Sequence, residues 1–234
     1  MPPQVQVGDL DALLATLAAD VTRESAERWR RGRAFAMAIA GGSVVVHGGL
    51  ALSKVPFDWA RTHIFWVDER AVPPSDPESN FREAMDRWLG PAHVPATSIH
   101  RMPADSSDLA GAAETYMQEI LRVLAPGASL DYVLLGTGPD GHVASLFPGH
   151  PALKDEGLVL AVEDAPKPPP RRLTLGLSML IRAERVVVMA LGESKAAVVQ
   201  EAMEADDSTL PLSLVLRRTR RPLVLLDYGA ASLL

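Results

Sequence analysis

Five short, almost purely apolar runs dominate the chain, at residues 34–40, 63–67, 132–135, 185–191 and 223–227. Each is too short for a core helix and too uniformly apolar for a strand with one wet face. They read as strands buried on both sides, the pattern of a parallel sheet, whose neighbouring strands need long crossover connections. The segments between them can supply those crossovers. Residues 10–31 place Leu10, Leu13, Leu14, Leu17, Ala18 and Val21 on one helical stripe, with Asp9 as the N-cap. Residues 79–89, 108–124 and 194–204 read as further helices. Residues 44–54 read as another, against the weak helix preference of three consecutive valines. Residues 158–162 are one more candidate strand, and the proline-bearing stretches 71–78 and 165–170 read as loops. Alternation of this kind predicts an α/β class with helices on both faces of a mostly parallel sheet. No repeat, low-complexity tract or linker divides residues 1–234, so a single domain is expected.

Composition removes several classes of function. The chain has 234 residues and a formal charge of −6, which argues against a general nucleic-acid surface. Its longest basic run, Arg217-Arg218-Thr219-Arg220-Arg221, reads as a solvated helix end. Cysteine is absent, so disulfides, thiolate catalysis and cysteine-held zinc are excluded. The N-terminal stretch lacks a basic region followed by an apolar core, and no apolar run approaches the roughly 20 residues that span a bilayer. A cytoplasmic protein with no membrane, nucleic-acid or obligate protein partner is expected.

The chemistry is concentrated in residues 134–150, LLGTGPDGHVASLFPGH. Gly136, Gly138 and Gly141 permit a tight turn just beyond a strand, where open α/β sheets place their ligands. Asp140 and His142 lie on that turn, and histidine is the side chain best suited to proton transfer near neutral pH. The glycine spacing also satisfies the dinucleotide fingerprint. Pro148, Gly149 and Pro151, however, would break the long helix that a nucleotide fold requires there.

Three further clusters sit at strand ends. Gly41-Gly42-Ser43 reads as a phosphate-holding turn or as an ordinary strand-to-helix turn. Asp68-Glu69-Arg70 reads as a binding cluster or as surface ion pairs. Arg171, Arg172 and Lys195 are candidate anion ligands. Lys195 falls in the first turn of an expected helix, where a bound anion would offset its unfavourable position in the dipole.

In this order the clusters resemble the 6-phosphogluconolactonase family of the bacterial and eukaryotic type, related to the glucosamine-6-phosphate deaminase/isomerase fold. The resemblance runs from about Leu10 to Asp227 and is carried by GGS at 41–43, VDER…SN from 67 to 80 and LGTGPDGHVASLFPG from 135 to 149. Residues 171–174, 192–196 and the segment from Leu210 add to it. It implies a three-layer α/β/α domain that hydrolyses 6-phospho-D-glucono-1,5-lactone to 6-phospho-D-gluconate in the pentose phosphate pathway. The family's phosphate turn usually reads GGSTP, and here Val44 and Val45 replace threonine and proline. Expected roles follow on that basis. His142 would activate water, Asp140 would tune or orient that histidine, and Arg70 would stabilise developing negative charge. Gly41, Gly42, Ser43, Asp68, Arg171 or Arg172, and Lys195 would bind the sugar phosphate.

Rival readings each lack a part. In the amino-sugar-phosphate deaminase/isomerases the motif resembles DGHIAFNEP, and Phe147 stands here where their glutamate serves ring opening. A sugar-phosphate sensor would keep its phosphate turn while losing the acid/base residue, the reverse of what this chain does. A metallohydrolase needs histidine spacing such as HxH or HExxH, which His47, His63, His93, His100, His142 and His150 do not provide. No metal or cofactor is expected.

Overall fold

The structure is a computed structural model, and it describes residues 3–124 and 129–234. Met1 and Pro2, which open the stretch read for a leader, lie outside the described residues. Among the described residues ten strands follow in chain order: β1 (Gln4–Val7), β2 (Phe35–Ile39), β3 (Thr62–Trp66), β4 (Asp68–Arg70), β5 (Ile99–His100), β6 (Tyr132–Gly136), β7 (Val159–Val162), β8 (Arg172–Leu175), β9 (Arg185–Ala190) and β10 (Pro222–Leu226). The helices are α1 (Leu10–Arg30), α2 (Ser43–Leu52), α3 (Asn80–Ala84), α4 (Leu109–Val123), α5 (Leu177–Ile181), α6 (Ala196–Glu204) and α7 (Pro211–Arg218).

Seven strands form one parallel sheet in the spatial order β1-β10-β9-β6-β2-β3-β5. Every residue of β2, β9 and β10 is buried. Side chains alternate between faces along a strand, so both faces of the sheet are covered and the arrangement has three layers, as expected. The apolar runs become strands because only a doubly covered sheet hides both halves of each run from water. Helix starts follow local chemistry. Asp9, Ser79 and Asp108 accept from the backbone N–H groups of Ala12, Arg82 and Gly111 and cap α1, α3 and α4. The helix expected over 79–89 is α only to Ala84. A π turn, Met85–Leu89, follows, in which Trp88 and Leu89 are both buried.

Two parts of the architecture differ from the sequence expectation. The candidate strand at 158–162 does form, but outside the parallel sheet. It is β7 of a small antiparallel sheet ordered β4-β8-β7. The short charged strands β4 and β8 lie in segments that carry no apolar run. They hold register through Asp68 opposite Thr174 and Arg70 opposite Arg172.

The topology locates the site. From β2 the chain moves to β3 on one side, whereas β6 lies on the other side of β2, next to β9. The direction of winding therefore reverses between β2 and β6, and ligands of open α/β sheets bind at such a point, beyond the carboxyl ends of the strands. Gly41–Ser43 follows β2 and Gly138–His142 follows β6.

Candidate active site

Backbone geometry first shapes the glycine-rich loop after β6. Gly138 N–H donates to the His142 carbonyl at 3.0 Å, and Gly141 N–H to the Gly138 carbonyl at 3.0 Å. The loop thus folds back over itself, and a Cβ at position 138 would overlap both the His142 ring and the Asp140 carboxylate. No helix follows; Val143 and Leu146 instead pair as an isolated bridge. The nucleotide fingerprint is not built.

Within this loop His142 Nδ1 lies 2.5 Å from Asp140 Oδ1. The carboxylate can only accept, so Nδ1 carries the proton and Nε2 keeps its lone pair. Lys167 completes the group, with Nζ 2.9 Å from Asp140 Oδ2 and 3.2 Å from His142 Nδ1. Burial pushes the His142 pKa down; Asp140 opposes this, and the Lys167 charge adds to it. Burial tends to raise the Asp140 carboxyl, but Lys167 and His142 outweigh it and hold that group at about 2. The result is a neutral imidazole beside a fully ionised carboxylate.

Opposite the loop lies a cavity of about 200 Å³. His142, Arg70, Asp68, Arg172, Gly41, Gly42 and Ser43 all line it. The small sheet is what brings Arg70 and Arg172 to one place. Asp68 is held by the Ser145 hydroxyl, which donates to its Oδ2 at 2.7 Å, and by the Asn80 amide. Glu69, the other carboxylate of the cluster, has a different task. It accepts from the N–H groups of Asn80, Phe81 and Arg70 and from the Ser79 hydroxyl, tying α3 to β4. Arg70 donates one Nη to the Glu78 carbonyl at 2.6 Å, while its buried Nε has no partner. The buried Asn80 Oδ1 is also unpartnered.

The two adjacent arginines part company because side chains alternate along a strand. Arg172 turns inward; its Nε and Nη2 donate to the carbonyls of Lys167, Pro168 and Pro169, while its Nη1 reaches only the Ser145 hydroxyl, at 3.4 Å. It thereby fixes the proline-rich loop that delivers Lys167. Arg171 turns outward to Glu163 and the Ser107 carbonyl, and it does not line the cavity. Lys195 sits at the N-cap of α6, as the last residue of a short 3-10 turn. Burial and the Lys167 charge lower its pKa, and Asp140 opposes them. Lys195 thus belongs to the same electrostatic group while standing outside the cavity wall. Lys167 went unread in the sequence because its segment is a proline-rich loop.

Phe147 is 1% exposed, and its ring centroid lies 4.7 Å from that of His142. The position beside the histidine is therefore apolar. Among the described residues no three His, Asp or Glu side chains converge as a metal-binding set, and no helix is long and apolar enough to cross a membrane.

Comparison with known proteins agrees with this architecture. The family model described as "Glucosamine-6-phosphate isomerases/6-phosphogluconolactonase" matches residues 8–224. The chain belongs to that family. It is 37% identical to the 6-phosphogluconolactonase of Mycobacterium tuberculosis, an alignment covering 86% of this chain and 85% of that protein. The crystal structure of 6-phosphogluconolactonase from Thermotoga maritima superposes with a TM-score of 0.84 at 25% identity, covering 96% of this chain and 99% of that one. A monomeric glucosamine-6-phosphate deaminase shares the fold, with a TM-score of 0.82 at 20% identity over 99% of this chain and 100% of that one.

Proposed function

We propose that this protein is a 6-phosphogluconolactonase that hydrolyses the ester bond of 6-phospho-D-glucono-1,5-lactone by water attack. The observation that carries the reading is the His142–Asp140 pair at 2.5 Å, facing a cavity that Arg70 and the Gly41–Ser43 turn also line. Neutral His142 takes a proton from water through Nε2 as the oxygen attacks the lactone carbonyl, and then returns it to the departing ring oxygen. Asp140 holds the tautomer and stabilises the transient imidazolium. Arg70, with an unpartnered N–H, stabilises the developing oxyanion, a role worth about 2.7–4 kcal/mol of barrier for one such donor.

The phosphate is held by the turn at the start of α2 and by Arg172, which lines the same cavity, with Lys167 and Lys195 adding positive charge from the side of Asp140. Helix-terminal N–H groups supply orientation and the side chains supply charge. Asp68 accepts from a substrate hydroxyl. This reading calls for no metal, cofactor, nucleic acid or protein partner, and it assumes a reaction in the cytoplasm. Deaminase chemistry is disfavoured because the buried Phe147 ring beside His142 cannot move a proton.

The test is a coupled assay on freshly generated 6-phosphoglucono-δ-lactone, corrected for spontaneous ring opening. Enzyme-dependent acceleration that survives exhaustive chelation is expected. A rate equal to the uncatalysed one would refute the reading.

A further inference from the structure

The turn that starts α2 already carries an anion, and that anion belongs to the protein. Glu83 on α3 places its Oε2 2.8 Å from the Gly42 nitrogen and accepts that N–H. Gly42 is the N-cap of α2, at φ 61° and ψ −138°, a conformation that effectively requires glycine. With no side chain of its own it cannot cap the helix, and the first turn of α2 contains no acidic residue. The negative charge favoured at a helix N-terminus is therefore supplied from another element.

We infer that Glu83 is a specificity-determining residue that occupies the phosphate position of the free enzyme and must be displaced when a phosphorylated substrate binds. The inference rests on the proposed function, which assigns the Gly41–Ser43 turn to phosphate. A phosphate arriving there meets a like charge and an N–H group already in use. The displaced carboxylate has a second partner already at the edge of ion-pair range. Arg87, one helical turn further on, has its exposed guanidinium 3.7 Å from Glu83 Oε1. Rotation of Glu83 away from Gly42 closes that ion pair and opens the turn. Affinity for phosphate is thus set by the difference between two positions of one side chain. Lactones without phosphate do not engage the turn, so Glu83 leaves their binding untouched.

The experiment compares Glu83→Gln and Arg87→Ala with wild type on 6-phosphogluconolactone and on unphosphorylated gluconolactone. Direct titration with inorganic phosphate runs alongside. Glu83→Gln removes the charge at nearly constant shape, and KM for the phosphorylated lactone should fall about three- to tenfold. Phosphate binding should tighten by a similar factor, with KM for gluconolactone unchanged. Arg87→Ala removes the alternative partner and should move phosphate affinity the other way. An unchanged or raised KM for the phosphorylated lactone in Glu83→Gln overturns the inference, as does an equal change on both lactones. If wild type is no lactonase, the phosphate titration still decides. Tighter phosphate binding by Glu83→Gln sustains the competing carboxylate while the proposed reaction fails.

Discussion

The two ends of the parallel sheet use similar residues to opposite effect. At the amino-terminal ends of the strands, buried Asp20 receives Arg185 Nη2 at 2.8 Å, Arg185 Nε at 3.1 Å and the Tyr132 hydroxyl at 3.0 Å. Both oxygens of Asp20 are engaged, and the cluster pins α1 to β6 and β9. A cleft of about 710 Å³ opens there, larger than the cavity beside His142, yet Arg23, Arg185 and Arg221 around it are already paired with acidic side chains. At the carboxyl ends, Asp140 is engaged on both oxygens as well, but the cavity wall keeps free capacity: Arg70 Nε and Asn80 Oδ1 have no partner, and Asp140 engages His142 through Nδ1 rather than Nε2. Cavity size does not distinguish the two ends. The setting of the unpartnered groups does: Arg28 Nε and Asp131 Oδ1 at the amino-terminal end face each other as an ion pair at 2.7 Å, whereas Arg70 and Asn80 line a cavity, where a ligand can complete a polar group that is otherwise costly to bury.

The contrast can be broken most directly by truncating one residue at each end. His142→Ala should reduce turnover by about 10²–10⁴-fold while the thermal midpoint stays near wild type. Arg185→Ala leaves Asp20 charged, buried and short of its main partner, which typically costs about 3–5 kcal/mol. It should lower the unfolding midpoint sharply while the folded fraction keeps its kcat. Paired activity and denaturation measurements decide, and a catalytic loss from Arg185→Ala without destabilisation would erase the distinction.

A smaller effect concerns pH. The active imidazole is neutral, so activity is lost as pH falls through the His142 pKa, which burial and Lys167 hold below the usual value of about 6.5. Lys167→Met removes a neighbouring cation, and the acid limb of kcat/KM should therefore move to higher pH. A limb that does not move would show that Lys167 serves phosphate alone.

The smallest change is expected from Lys195→Ala. It should raise KM for the phosphorylated lactone, with at most a minor loss of kcat, because the phosphate is remote from the carbonyl. Equal penalties on phosphorylated and unphosphorylated lactones would remove Lys195 from phosphate recognition.

The central strands were legible because burial on both faces leaves an unbroken apolar signature, as in Tyr132–Leu135 and in the buried Val186-Val187-Val188 of β9. The edge strand β1 was not. Its Gln-Val-Gln-Val is exposed throughout, so no burial shaped its composition. Strands β4 and β8 escaped for another reason. They contain Asp68, Glu69, Arg70 and Arg172, whose inclusion in a sheet depends on partners about a hundred residues away in the chain. The Asp140–His142 pair could be read because both members lie on one glycine turn. Lys167 could not, since its place is set by Arg172 gripping three successive carbonyls, a tertiary fact. The choice between Arg171 and Arg172 needed only the alternation of a strand that the sequence does not announce.

Phe147 has a consequence for how this chain can diverge. Its ring is held by Val162 and Ala165 and lies beneath the Arg172 guanidinium, 5.7 Å from the ring centre. A glutamate introduced there would have to ionise inside an apolar patch, next to an arginine already committed to the loop that presents Lys167. Replacing one residue therefore moves the mutant off the lactonase peak without reaching a neighbouring one. In mutational terms, a change of chemistry at this position asks for the packing around β7 to change before position 147 does.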